Sequence, residues 1–124
     1  MASPPPTGLR RLAAAFGHSL DGLTDIWRSE AAFRLEAICL AASLPAAGWL
    51  GETPRHAATL IGSVLLIMIV EVLNSAIEAT VDRIGPERHD LSRRAKDLGS
   101  LAVLLAVVLA ALLWLAALLS HVLA

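Results

Sequence analysis

The sequence predicts an all-α integral membrane protein built from one amphipathic surface helix and three transmembrane helices. Of its 124 residues, 56% are hydrophobic and only 17% are charged, and the mean hydropathy is +0.68. These proportions are typical of a membrane protein and not of a soluble domain. Three long apolar segments supply the candidate spans, and the length suits a single domain over residues 1–124. No basic block or aromatic platform indicates nucleic acid binding, and the single cysteine, Cys39, excludes an intrachain disulfide.

The N-terminal part of the chain combines a tail with an amphipathic helix. Residues 1–8 are proline-rich and are expected to be disordered. Over residues 9–28 the spacing becomes helical, with apolar side chains within about 80° of one another and charged side chains on the other side. The apolar set comprises Leu9, Leu12, Phe16, Leu20, Leu23 and Trp27. This pattern predicts a helix that lies on the membrane surface.

Three candidate spans follow, although the apolar run of the second, residues 57–70, reaches the length of a span only if the helix extends through the polar residues after it. The first covers residues 29–50. The second covers residues 56–84, with Thr53 expected to cap its start and Gly85-Pro86 expected to end it. The third covers residues 95–120 and follows a polar connection.

The distribution of lysine and arginine predicts the orientation in the membrane. Three lie up to Arg28, one lies in residues 51–56, five lie in residues 83–96, and none follows Leu119. The positive-inside rule then places the N-terminus and the loop near residue 90 in the cytoplasm, and the C-terminus outside. Acidic residues from three separate segments therefore converge on the cytoplasmic side.

An acidic stripe on the second span is the most informative feature of the sequence. At 100° per residue, Glu71, Asn74, Glu78 and Asp82 lie at about 0°, −60°, −20° and +20°. Each carboxylate costs roughly 2.5–3.5 kcal/mol at the centre of a membrane helix. Like charges on one stripe also repel each other unless a cation lies between them. The stripe therefore predicts a metal site.

Carboxylates, an amide and nearby basic residues suit Mg²⁺ and the phosphates of a nucleotide. Lys96 and either Arg93 or Arg94 are candidates for phosphate contacts, with Asp97 at the start of the third span. The sequence contains neither of the familiar glycine-rich nucleotide loops. A proton or cation pathway would use similar residues, so the residues alone leave both interpretations open.

Three motifs carry a resemblance to a known family. They are E-A-A-F-R-L-E at residues 30–36, V-E-V-L-N-S-A-I-E-A-T-V-D-R-I-G at residues 70–85, and S-R-R-A-K-D-L-G-S at residues 92–100. Together they resemble the prokaryotic diacylglycerol kinase family over residues 7–122, nearly the whole chain. The resemblance implies a homotrimer in the bacterial inner membrane, with active sites shared between subunits on the cytoplasmic side. It also implies transfer of the γ-phosphate of MgATP to diacylglycerol, which yields phosphatidic acid for lipid recycling and phospholipid biosynthesis.

The resemblance further implies roles for individual residues. Glu71 would be the general base, and Glu30 and Glu78 would hold Mg²⁺ together with the ATP phosphates. The other ATP contacts would be Arg11, His18, Glu87, Arg88, His89, Lys96 and Asp97. The lipid substrate would contact Ala15, Ser19, Trp27, Arg34, Glu36, Trp49 and Ser100 as well as Glu71. Asn74 and Asp82 would support the site.

The chain departs from the family pattern at His18, Ser29, Arg88 and Arg93. These changes bear on individual adenine contacts and not on the reaction, because the three catalytic carboxylates are intact. Two alternatives stay open. One is the same chemistry on undecaprenol, and the other is a small cation- or proton-coupled transporter, which predicts acidic residues near the bilayer midplane and usually more spans.

Overall fold

A computed structural model describes residues 2–124. Within these residues the chain forms four helices and no strand, which confirms the all-helical prediction. The last three helices are long and apolar enough to cross a membrane. The helices are α1 (Gly8–Ser29), α2 (Ala31–Leu50), α3 (Pro54–Ile84) and α4 (Asp90–Leu123). The chain divides into two compact units, the first ending at Ala31 and the second covering Ala32–Ala124.

Helix α1 fills most of the first unit, and its two ends have clear local causes. It begins at Gly8, whose φ of +58° lies in the left-handed region that glycine adopts without steric cost. It ends where Glu30 turns to an extended conformation, with its backbone N–H donating to the Ile26 carbonyl at 2.9 Å. Residues 2–7 of the predicted tail contain no helix or strand, and Met1 lies outside the described residues. Gly8 belongs to the helix and not to the tail.

A tight turn joins α2 to α3 and follows the predicted capping pattern. The Thr53 hydroxyl accepts a hydrogen bond from the His56 backbone N–H at 3.1 Å, and Pro54 occupies the first turn, where its missing N–H costs nothing. Gly51 donates its N–H to the Ala47 carbonyl at 2.8 Å. Helix α2 itself begins at Ala31, two residues after the predicted start at Ser29, because Glu30 is extended.

Helices α3 and α4 pack side by side along most of their length. Small residues allow the close approach, since Gly99, Ala106, Ala110 and Ala117 are the buried residues of α4. At one end Gly99 lies directly against the Asn74 side chain.

At the other end of this pair the Trp114 indole N–H is shared between two acceptors, the Leu60 carbonyl at 3.2 Å and the Ser63 hydroxyl at 3.1 Å. The helix pair is thus fixed both at its polar end and at its apolar end.

The predicted polar connection before the third span is shorter than expected. Helix α4 begins at Asp90, five residues before the predicted start at residue 95. The His89 imidazole Nδ1 accepts from the Leu91 backbone N–H at 3.1 Å and so caps the helix. The Asp90 carboxylate in the first turn favours the same start through the helix dipole.

Helix α3 ends at Ile84 as predicted, although Gly85 is extended and its conformation is open to any residue. Pro86 explains the stop, because proline cannot continue the backbone hydrogen bonding of a helix.

Gly51→Ala is expected to lower the free energy of unfolding by about 1–3 kcal/mol through overpacking. A Cβ atom at this position would lie 2.6 Å from the Ala47 carbonyl oxygen and 2.9 Å from the Ala57 Cα, and backbone atoms cannot move aside without distorting the turn. The measurement is the midpoint of SDS-induced unfolding in mixed micelles. Gly48→Ala is the matched control, because nothing lies within 4 Å of its Cβ position. Equal midpoints for the two variants would contradict the tight turn.

Candidate functional site

The predicted acidic stripe forms a continuous polar strip along α3, and we use the name acidic strip for Glu71, Asn74, Glu78 and Asp82. Glu71 and Asn74 are buried, each at 8% exposure, Glu78 is half-buried, and Asp82 is exposed. The strip therefore runs from an interior end to a solvent-accessible end. A carboxylate buried in an apolar helix is destabilising unless a partner compensates it, so the partners of this strip define the site.

Helix α2 brings a third carboxylate to the interior end of the strip. The half-buried Glu36 carboxylate is close enough to Glu71 for the two negative charges to repel each other. The buried Glu36 Oε2 and Asn74 Oδ1 atoms have no hydrogen-bond partner. The Asn74 amide donates to Glu78 Oε1 at 3.4 Å, which orients both side chains along the strip. This end thus offers acceptor oxygens and negative charge, as a site for a cation or a hydroxyl donor requires.

Helix α4 brings a cation to the solvent-accessible end of the strip. The Lys96 ammonium donates to Asp82 Oδ1 at 2.7 Å and is also attracted by the Glu78 carboxylate. Its aliphatic stem lets the charge reach across from α4 while the backbone stays at the helix interface.

An open cleft adjoins this end of the strip, and we call it the loop cleft. It has a volume of about 590 Å³ and is enclosed by the end of α3, the connection and the first turns of α4. Its lining includes Glu87, Arg88, His89, Lys96 and Asp97, all predicted from the resemblance as nucleotide contacts. The structure therefore brings together five of the residues that the resemblance assigns to the nucleotide.

Three further residues line the loop cleft, namely Asp90, Ser92 and Arg93. Arg93 was one of two candidates for a phosphate contact, whereas Asp90 and Ser92 were not among the predicted site residues. The Arg93 guanidinium pairs with the Asp97 carboxylate at 2.9 Å and with the Asp90 carboxylate at 3.7 Å. Spacings of three and four residues are typical of ion pairs in a helix. Residues 90–94 were expected to lie in the polar connection before the third span, so these pairs were not predicted.

The site residues predicted on α1 belong to the first unit. Arg11, Ala15 and His18 line a cavity of about 530 Å³ together with the tail residues Pro5, Pro6 and Thr7 and with Ala14. Trp27 is half-exposed, at 47%, and the Ser19 hydroxyl donates to the Ala15 carbonyl at 3.0 Å. Glu30 is half-buried at the end of the helix. Arg11 and His18, both implied by the resemblance as ATP contacts, thus line one cavity.

Of the predicted lipid contacts in the second unit, Arg34 and Glu36 lie near the start of α2, and Ser100 is exposed on α4 next to Gly99. Trp49 lies elsewhere. It is about 20 Å along α2 from Glu36 and packs edge-on against His121, with ring centroids 4.5 Å apart. Trp49 therefore marks the far end of the second unit.

The donor chemistry of the strip fits Mg²⁺ that arrives with phosphate. Carboxylate and amide oxygens are hard ligands, and Mg²⁺ needs only one or two protein carboxylates when phosphates and water supply the rest. Among residues 2–124, no three His, Cys, Asp or Glu side chains are grouped so that they could hold a metal ion.

Comparison with known proteins identifies close relatives. A family model described as prokaryotic diacylglycerol kinase matches residues 17–118. A diacylglycerol kinase of Escherichia coli strain K12 is 50% identical over 115 residues, which covers 93% of this chain and 94% of the relative. One of Pseudomonas aeruginosa is 45% identical over 87% of this chain and 88% of the relative. One of Helicobacter pylori is 36% identical over 90% of this chain and 87% of the relative.

Glu36→Gln is expected to raise the free energy of unfolding, by about 1 kcal/mol at most, because it removes the repulsion with Glu71 while keeping the shape of the side chain. The measurement is again the SDS unfolding midpoint. Glu52→Gln, in the exposed turn, is the matched control and should leave the midpoint unchanged. A lower midpoint for Glu36→Gln than for Glu52→Gln would show that the Glu36 charge stabilises the fold.

Proposed function

The chain belongs to the prokaryotic diacylglycerol kinase family, and we propose that it transfers the γ-phosphoryl group of MgATP to the free hydroxyl of 1,2-diacylglycerol. The products are phosphatidic acid and ADP, which places the enzyme in lipid recycling and phospholipid biosynthesis. One observation carries the proposal. The acidic strip connects a buried carboxylate, Glu71, to a cleft lined by groups that suit a nucleotide.

Glu71 is the general base of the proposed reaction. An oxygen lone pair of the lipid hydroxyl forms the new bond to the γ-phosphorus as the bond from that phosphorus to the β–γ bridging oxygen breaks. The hydroxyl proton passes to the Glu71 carboxylate, and the bridging oxygen leaves with ADP. Glu71 is a buried carboxylate at the interior end of the strip, and a carboxylate oxygen is the group that a general base needs to accept a proton, which supports this role.

The nucleotide occupies the loop cleft, with its phosphates directed toward the acidic strip. Lys96 is placed to meet them, because it lines the cleft and its ammonium is also attracted by the Glu78 carboxylate of the strip. Glu78 and Glu30 would hold Mg²⁺, which neutralises charge on the phosphates when it is bound with the nucleotide. Arg11 and His18 of α1, with Glu87, Arg88, His89 and Asp97, are the further nucleotide contacts of this proposal.

The lipid acceptor reaches Glu71 from the bilayer. Asn74, Arg34, Glu36 and Ser100 surround its polar headgroup in this proposal. Asn74 belongs to the strip, the Glu36 charge is close enough to Glu71 to repel it, and Ser100 follows Gly99, which lies against Asn74; these positions support the assignment. Helix α1 lies at the membrane surface, with Ala15, Ser19 and Trp27 toward the lipid. Its exposed apolar side chains, Leu9 at 83% and Phe16 at 66%, fit an interfacial helix. Trp49 is the most remote of the proposed contacts.

We place the enzyme in the bacterial inner membrane, with its N-terminus and active site in the cytoplasm. The concentration of lysine and arginine in residues 83–96, compared with one in residues 51–56, supports this orientation. ATP is available on that side.

A homotrimer with shared active sites completes the proposal. Helices α2 to α4 leave many large apolar side chains exposed, among them Leu35, Leu101, Leu105 and Leu112, so that lipid or other copies of the chain must cover them. A single unit of three helices also encloses little volume around Glu71.

Glu71→Gln is expected to reduce the rate of phosphoryl transfer by at least about a hundredfold, because an amide cannot accept the hydroxyl proton. The measurement is transfer of ³²P from MgATP to dioleoylglycerol in mixed micelles, and separately to undecaprenol. Phosphatidic acid formed by the unsubstituted chain and lost in the variant supports both the reaction and the base.

Glu52→Gln is the matched control for this assay, because it makes the same chemical change in the exposed turn and should leave the rate unchanged. If only undecaprenol yields a labelled product, undecaprenol replaces diacylglycerol as the acceptor in this proposal. No labelled lipid from a folded sample would contradict the kinase proposal and favour ion binding by the acidic strip.

A further inference from the structure

Two adjacent arginines at the start of α4 have different surroundings. Arg93 lines the loop cleft, whereas Arg94 is exposed and does not line it. Successive residues of a helix point about 100° apart, so two neighbours with the same charge need not face the same ligand. The sequence left open which of the two would meet a phosphate, and the structure separates them.

The Arg93 guanidinium is held over the cleft by acidic residues on both sides of it in the helix. Asp97, one turn later, pairs with Nη1 at 2.9 Å, and Asp90, one turn earlier, lies 3.7 Å from Nη2. Arginine carries five N–H donors in a fixed fork, so two carboxylates do not exhaust its capacity for further acceptors. Its side chain remains 65% exposed and accessible to a ligand.

The charge balance of the loop cleft indicates that Arg93 is needed to attract an anionic ligand. The lining has four carboxylates, Asp82, Glu87, Asp90 and Asp97, against three fixed cations, Arg88, Arg93 and Lys96. Lys96 already forms an ion pair with Asp82. A triphosphate entering an acidic cleft is repelled unless enough cations face it, and loss of one cation out of three would weaken its binding markedly.

We propose that Arg93 binds the polyphosphate of the nucleotide and is an affinity determinant of the loop cleft, with Asp97 and Asp90 positioning its guanidinium. This inference rests on the proposed function, because it concerns the donor nucleotide of that reaction. It adds a residue that departs from the family pattern, so the chain carries its own contribution to nucleotide affinity.

The test compares Arg93→Gln with Arg94→Gln, which remove the same charge from adjacent positions. The readouts are KM for MgATP and kcat with saturating dioleoylglycerol, at low and at high salt. Arg93→Gln is expected to raise KM about fivefold at low salt while kcat stays within about twofold, and added salt should shrink the difference. Arg94→Gln should leave both constants unchanged. Arg93→Lys should restore part of the affinity, because it keeps the charge but loses the planar fork.

A second readout is independent of catalysis. Binding of a fluorescent trinitrophenyl-ATP to the Glu71→Gln chain, with and without Arg93→Gln, should show the same weakening. Equal KM values and equal Kd values for the two arginine variants would overturn the inference and leave Arg93 as a surface ion pair. A fall in kcat at constant KM would also overturn it.

Failure of the proposed function gives a different pattern. If the unsubstituted chain binds the analogue but forms no phosphatidic acid, the kinase proposal fails, and the Arg93 inference is then decided by the Kd values alone. If the unsubstituted chain neither forms phosphatidic acid nor binds the analogue, both are overturned.

Discussion

Carboxylates inside an apolar helix are energetically costly, and the partners that α2 and α4 bring to α3 lie where that cost arises. Glu71 lies near the middle of α3, a helix of 31 residues, directly after the apolar run of residues 57–70. Water cannot stabilise such a charge within hydrocarbon, so neighbouring helices must supply partners or the site must take up a ligand. The Asn74 amide and the Lys96 ammonium donate to the outer carboxylates, Glu78 and Asp82, while Glu36 adds a further carboxylate at the inner end. In the proposed reaction, the lipid hydroxyl is the ligand of this inner end.

The close packing of α3 against α4 makes this arrangement geometrically possible. Gly99 lies against Asn74, so the two backbones approach closely at the interior end of the strip. From there α4 continues toward its N-terminus and places Lys96, one turn away, opposite Asp82. Helix α4 begins early, at the His89 cap. Its first turns, part of which was expected to lie in the polar connection, therefore form one wall of the loop cleft. Packing, capping and charge thus position the candidate site together.

Local patterns in the sequence predict the helices and the strip, because both depend on spacing within one segment. The period of 3.6 residues places Glu71, Asn74, Glu78 and Asp82 on one face, and the structure has them there. The cap at Thr53 is equally local and is confirmed. Contacts between segments were harder to foresee. The ion pair between Asp82 and Lys96 spans fourteen residues, and nothing in either segment specifies the other as its partner. The start of α4 was missed because a polar stretch next to a span resembles a loop.

If the acidic strip serves ligand binding and not the fold, removal of its buried charges should not destabilise the protein. The chain that combines Glu71→Gln with Glu78→Gln tests this through its SDS unfolding midpoint. Both changes keep side-chain shape, and the amide oxygen introduced at position 78 can still accept from the Asn74 amide. The midpoint is expected to equal or exceed that of the unsubstituted chain, since the repulsion between Glu71 and Glu36 is removed. A free energy of unfolding lower by more than about 2 kcal/mol would contradict ligand binding as the role of the strip, because the charges would then stabilise the fold as buried ion pairs do.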